Sequence, residues 1–148
     1  MRVAATMLIT VAAFLAAGSA SAAVKSGYFK TADGSIWCAW SYSGSKGLGV
    51  CGIRNGRLKP RPKNRCTRVG VDYVGNRITF ATTGRPRIQA CAGDAGPFAD
   101  PKATKVLKPG KTWRGAGMSC TARRSSMTCR NKSGHGFFIS RSSYRIFS

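Results

Sequence analysis

The sequence predicts an all-β domain, built as a small antiparallel sandwich or a partly open barrel of short hairpins. Apolar and polar residues alternate with a period of two along most of the chain, as they do in half-buried strands. The 18 Gly and 6 Pro of the 148 residues divide these runs into short segments. No amphipathic helical window follows the first 22 residues, so we expect helix only as a turn near residues 100–105.

The N-terminal segment has the pattern of a secretory signal peptide. Arg2 provides the positive charge, residues 7–17 form a short apolar run, and Ala20-Ser21-Ala22 is a small-residue cleavage site. Cleavage after Ala22 would leave residues 23–148 as one secreted domain, located outside the cell or in the periplasm. That length is typical of a single domain, and we find no linker or second apolar stretch within it.

The exported part contains six cysteines, and an even number in an oxidising compartment predicts three disulfides. Two short hairpins, one around residues 41–47 and one around residues 123–125, each place two cysteines opposite one another. The remaining two cysteines then form the third pair. The predicted disulfides are Cys38–Cys51, Cys66–Cys91 and Cys120–Cys129. Because the chain has no C-x-x-C motif and its single His lies outside ligand spacing, we expect no metal and no cofactor.

Further strands are expected at residues 87–91, 136–140 and 143–147, where β-branched and aromatic residues are frequent. Residues 71–74 and 77–80 flank Gly75-Asn76, a dipeptide typical of a two-residue hairpin turn. In that hairpin Tyr73 would face Ile78.

Several motifs of the mature chain resemble those of a known family. They include Ile36-Trp37-Cys38, Cys91-Ala92-Gly93-Asp94, Thr128-Cys129-Arg130-Asn131, Gly134-His135-Gly136-Phe137 and Ser140-Arg141. In these motifs the chain is similar to a family of small secreted, disulfide-bonded, mainly actinobacterial proteins of unknown function. The resemblance spans nearly all of residues 28–147. It implies secretion with disulfides, and it implies no activity and no catalytic residue.

The acidic residues are four Asp, and the chain has no Glu, which excludes glycosidases that depend on Glu and ribonucleases that need a Glu/His pair. His135 lies between two glycines and is a possible ligand contact, as is Trp40. A Ser-His-Asp set would need Asp94 with Ser140 or Ser142, and no G-x-S-x-G motif is present. We therefore assign no catalytic residue and favour a protein that is not an enzyme. The alternative is a cell-surface hydrolase or inhibitor with a cleft near His135.

Charge is the strongest functional signal in the sequence. The formal net charge is +21, and removal of Arg2 with the signal peptide would leave +20 on the mature chain. Such a chain attracts polyanions, and Arg binds phosphate in a bidentate manner. The predicted function is a binding module for an anionic polymer: an envelope polymer, nucleic acid or membrane headgroups. The candidate binding residues are Arg61, Lys63, Arg65, Arg123, Arg124, Arg130 and Arg141.

Overall fold

The structure is a computed structural model that describes residues 21–68 and 70–148. The expected signal peptide, residues 1–22, lies outside the described residues except for Ser21 and Ala22. Within the described part no helix is long and apolar enough to cross a membrane. Eleven strands are found there: β1 (Lys25–Lys30), β2 (Ile36–Ser43), β3 (Lys46–Ile53), β4 (Asp72–Ala81), β5 (Arg87–Ala92), β6 (Lys105–Val106), β7 (Thr112–Gly115), β8 (Met118–Ala122), β9 (Ser126–Asn131), β10 (Gly136–Ser140) and β11 (Tyr144–Phe147).

The strands form two sheets that pack face to face. Sheet A has the order β5-β4-β3-β2-β1-β6, and sheet B has the order β11-β10-β9-β8-β7. All strand pairs are antiparallel except β1 with β6, which is parallel. The predicted all-β antiparallel sandwich is confirmed, and neither sheet closes into a barrel.

The core lies between the sheets and follows from the alternation of side chains along each strand. Ile78 and Phe80 of β4 point inward from sheet A, and Phe137 and Ile139 of β10 point inward from sheet B. The rings of Phe80 and Phe137 meet edge to face, with centroids 5.3 Å apart. This contact joins the two sheets near the centre of the sandwich.

Glycines opposite aromatic residues allow the large rings to lie flat on a neighbouring strand. Gly49 pairs directly with Phe80, and Gly27 pairs directly with Trp40. A Cβ atom at either glycine would overlap the ring of its partner. The interior therefore accommodates several aromatic residues without forcing the strands apart.

The three predicted disulfides are confirmed as Cys38–Cys51, Cys66–Cys91 and Cys120–Cys129. The first and third each join directly paired residues of neighbouring strands, with Cα atoms 4.1 Å apart. Their sulfurs are buried in the core. Cys66–Cys91 instead ties the long connection after β3 to strand β5.

The predicted hairpin at Gly75-Asn76 is wrong, because residues 72–81 form the single strand β4. Tyr73 pairs with Cys91 and Ile78 pairs with Ile88, so both halves of β4 face the same neighbour. A two-residue type I′ turn needs positive φ at both central residues, whereas here only Gly75 has it, at 55°. One such residue produces a β-bulge, and the register shifts between Tyr73 and Arg77.

The helical turn predicted near residues 100–105 is also wrong. The carboxylate of Asp100 accepts hydrogen bonds from the backbone N–H groups of Lys102 and Ala103, and this turn leads into β6. The 3₁₀ turns of the described chain are Cys66–Arg68 and Gly96–Phe98. The second of these covers one end of the outer face of sheet A, where Phe98 contacts Trp37.

Candidate functional site

The residues considered for a Ser-His-Asp set each have a different partner. His135 Nδ1 lies 3.1 Å from the hydroxyl of Ser148. Ser140 shares a 2.9 Å hydrogen bond with Ser143, and Asp94 accepts a 2.9 Å hydrogen bond from Arg77. The fold therefore does not link these three groups through their hydrogen bonds.

The buried sulfurs also form a close group. Those of Cys51, Cys120 and Cys129 lie within 4.8 Å of one another. All three belong to disulfides, and a metal is bound by thiolates. This cluster is therefore part of the core packing.

Several of the basic residues lie in a different region, at one end of the sandwich, where four segments meet. They are the β1–β2 turn (residues 31–35), the first part of the β3–β4 connection (54–57), the β8–β9 turn (123–125) and the β10–β11 turn (141–143). The backbone N–H of Asp33 donates to the carbonyl of Arg124 at 3.3 Å, and that of Arg54 donates to Ser35 at 2.9 Å. We call this region, with Lys30 and Arg61, the basic end.

Two aromatic rings hold cationic side chains at the basic end. Lys30 Nζ lies 4.7 Å and the Arg54 guanidinium 4.3 Å from the centre of the buried Trp37 ring. The guanidinium groups of Arg57 and Arg61 lie 5.4 and 5.0 Å from the ring of Tyr73. Such cation–π contacts restrict long side chains while their charges stay accessible.

Asp33 is the acidic residue within these turns, and its carboxylate accepts hydrogen bonds from its own β1–β2 turn. Its Oδ1 accepts hydrogen bonds from the backbone and hydroxyl of Ser35 and from the hydroxyl of Thr31. Burial by itself raises the pKa of Asp33, but the hydrogen bonds from Ser35 and Thr31 outweigh that effect and lower the pKa below its ordinary 3.8. The charge of Arg141, whose Nε is 3.8 Å from Oδ2, acts in the same direction.

Several of the predicted polyanion-binding residues come together here. Arg61, Arg123, Arg124 and Arg141 belong to the basic end, whereas Lys63 and Arg65 are exposed further along the β3–β4 connection, toward Cys66. The sequence-based candidates omitted Lys30, Arg54 and Arg57. Arg54 and Arg57 belong to a visible run of basic residues. Lys30 is isolated in sequence, and it meets Trp37 as its direct partner across the β1–β2 hairpin, which was not predicted from the sequence.

Arg130 and Trp40 lie elsewhere. Arg130 sits near the opposite end of β9 and covers the ring of Phe147 at 4.5 Å, on the outer face of sheet B. Trp40 packs at the edge of the core, 5.1 Å from Trp113 and 5.4 Å from Tyr42. The ring of Trp40 therefore has a packing role in this fold.

Arg77 is the buried cation of the described residues, with 5% of its side chain exposed. It donates to the Asp94 carboxylate at 2.9 Å and to the Asp94 carbonyl at 2.8 Å. These bonds fix the loop after β5 against the outer face of sheet A. Asp94, considered from sequence as the acid of a Ser-His-Asp set, is thus the partner of a buried guanidinium.

Fold and surface together define a disulfide-bonded β-sandwich with a basic end. The chain belongs to a family described as "Family of unknown function (DUF6636)", whose match covers residues 8–147. No curated protein and no solved structure matches the chain.

Proposed function

We propose that the protein is a secreted, non-enzymatic binding module that attaches to an anionic polymer through its basic end. The observation that carries this proposal is the convergence of Lys30, Arg54, Arg124 and Arg141 from separate strands and turns at one end of the sandwich. Asp33 lies in the turns that meet there, and Asp72 and Asp94 lie at the same end of their strands. The cationic side chains of the basic end outnumber these carboxylates, which therefore offset the positive potential only in part.

The chemistry of the basic end suits phosphate, sulfate or carboxylate groups repeated along a polymer. Arg guanidinium groups bind such anions in a bidentate manner, and Trp37 and Tyr73 hold several cationic groups in place. Turn residues that contact a polymer backbone carry no information about sequence. We therefore propose electrostatic binding without sequence preference.

A salt titration tests this proposal. If about six phosphates are neutralised, log K falls with log salt at a slope near −5. The triple variant Arg123→Gln, Arg124→Gln, Arg141→Gln should reduce that slope by up to about 3, measured on heparin and on duplex DNA.

The chain provides a matched control for net charge. Arg114, Arg130 and Arg145 are exposed on the outer face of sheet B, and their replacement by Gln removes the same three charges. We expect the control triple to keep the parent slope, and His135→Ala to keep it as well. Equal losses in both triples would show that net charge alone, and not the basic end, drives binding. Loss of affinity on the His135 change would favour a pocket near that residue.

A further inference from the structure

The outer face of sheet A carries an uncharged patch on a chain that is otherwise rich in cations. Leu48 is directly opposite Ser41 on one side and Ala81 on the other, and two residues along β3 Val50 is opposite Ala39 and Thr79. Residues paired in this way share one face of a sheet. Leu48 is 66% exposed, so its side chain projects from this face into solvent.

The patch continues to a corner of the sandwich. There Val24, 73% exposed, and Leu48 line an open groove of about 700 Å³ whose other walls include Ala81. Lys46 and Lys132 border the same groove. Two of the most exposed large apolar side chains of the described residues thus lie in one place, flanked by lysines. We call this region the apolar corner.

The apolar corner lies at the opposite end of the strands from the acidic residues Asp33, Asp72 and Asp94. Asp72 begins β4 whereas Ala81 ends it, and Asp94 follows the end of β5 that pairs with Asp72. Asp33 lies in the β1–β2 turn, while the corner adjoins the β2–β3 turn at the other end of β2. The lysines of the corner therefore have none of these three carboxylates beside them.

We propose that the apolar corner docks on the surface of an anionic lipid bilayer. Leu48 and Val24 would enter the boundary between headgroups and acyl chains, and Lys46 and Lys132 would contact the phosphates. Such a bilayer surface binds exposed apolar side chains at the boundary of its acyl chains and attracts basic side chains through its anionic headgroups. Lysine suits this position because its apolar stem can lie along the acyl chains while its ammonium group reaches the headgroups.

This surface is separate from the basic end, since the two lie at opposite ends of β2. The lipid-docking inference and the proposed polymer binding therefore rest on different residues. An experiment can contradict one without contradicting the other. Charge complementarity favours a lipid surface, because the corner presents apolar side chains and cations together. The anionic headgroups of a bilayer attract the cations and its acyl chains accept the apolar side chains, so no binding pocket of matching shape is needed.

The experiment is co-sedimentation with vesicles of phosphatidylglycerol and phosphatidylcholine in equal parts, using protein purified as the cell exports it. We expect Leu48→Ser to lower the apparent affinity about tenfold, since a Leu side chain is then no longer buried. Val24→Ser should act in the same direction. Val106→Ser is the matched control, because Val106 is 50% exposed on β6 at the far edge of the same sheet, and it should bind as the parent does.

Charge variants complete the test. Replacing Lys46 and Lys132 by Gln should lower vesicle affinity roughly tenfold or more, and vesicles of phosphatidylcholine alone should bind little protein. If Leu48→Ser and Val106→Ser both bind as the parent while the basic-end triple loses affinity, adsorption is purely electrostatic and the inference is overturned. A parent protein that binds neither vesicle overturns it too, and would direct attention to an acidic protein partner. Polymer binding measured on heparin should be unchanged in Leu48→Ser, so failure of one proposal leaves the other intact.

Discussion

The Sγ atoms of Cys51 and Cys129 lie 3.9 Å apart, in van der Waals contact across the interface between the two sheets. Each belongs to a disulfide that joins directly paired strands of its own sheet, Cys38–Cys51 in sheet A and Cys120–Cys129 in sheet B. Two covalent cross-links thus pack against each other at the centre of the core. They contribute buried volume between the sheets as well as a constraint on the unfolded chain.

This contact predicts an order of stability among disulfide variants. Loop entropy alone contributes about 2.7 kcal/mol for Cys120–Cys129 and about 3.5 kcal/mol for Cys66–Cys91, which closes a longer loop. We expect the double variant Cys120→Ala, Cys129→Ala to lose more stability than Cys66→Ala, Cys91→Ala, because it also leaves a cavity in the core. Urea unfolding of both variants measures this difference. The reverse order would show that the contact between the disulfides contributes little.

A second prediction concerns Gly49, over which the ring of Phe80 lies. Gly49→Ala should lower the free energy of unfolding by about 1–3 kcal/mol, because the new methyl group displaces Phe80 from its contact with Phe137. Gly93→Ala is the control, since a Cβ atom there meets Val71 at an ordinary 3.6 Å. Thermal unfolding should separate the two variants clearly, and equal midpoints would contradict the packing described here.

Asp94 provides a third prediction. Its carboxylate is 75% exposed, yet its partner Arg77 has only 5% of its side chain exposed. We expect Asp94→Ala to cost about 1–3 kcal/mol, because the guanidinium stays buried after losing a charged acceptor. Asp72→Ala, at an exposed position on β4, should change stability by no more than about 0.5 kcal/mol. Similar losses in both variants would mean that Arg77 does not depend on Asp94.

The fourth prediction is a pH dependence. The folded pKa of Asp33 is lowered below 3.8, so its contribution to stability is present above the unfolded pKa and disappears as the pH falls through the folded pKa. The stability difference between the parent and Asp33→Asn should be largest near neutral pH, decline from about pH 5 downward and vanish toward about pH 2. Denaturant midpoints at several pH values measure it, and a difference independent of pH would exclude this role for the carboxylate.

The fifth prediction concerns processing. Mass spectrometry of the exported protein should show a chain that begins at Ala23 and is six hydrogens lighter than its reduced form, as three disulfides require. A retained N-terminus would remove the argument for secretion. A titratable thiol in the exported protein would contradict the disulfide set.

Local pattern was sufficient for most strands and for the disulfides within hairpins, whereas strands β1, β6 and β7 were not predicted. Cys38 and Cys51, like Cys120 and Cys129, face one another across short turns, so sequence spacing alone sets their register. The Cys66–Cys91 disulfide was inferred by elimination, from the two cysteines that the hairpins left unpaired. The hairpin at Gly75-Asn76 failed because β4 gains more from pairing with β3 and β5 along its length, where Ile78 becomes fully buried, than from folding back on itself.

The sequence by itself determined the all-β class, the two hairpin cross-links and the excess of positive charge, because these depend on residues close in the chain or on composition. Only the tertiary structure decided which cations gather. It brings Arg54 to the ring of Trp37, places Arg141 beside Asp33, and puts Arg130 on another surface. It also decided that Leu48 projects into solvent while Phe80 is buried. The reason is that strand order and sheet packing set the distances between residues far apart in sequence, and no local pattern encodes those distances.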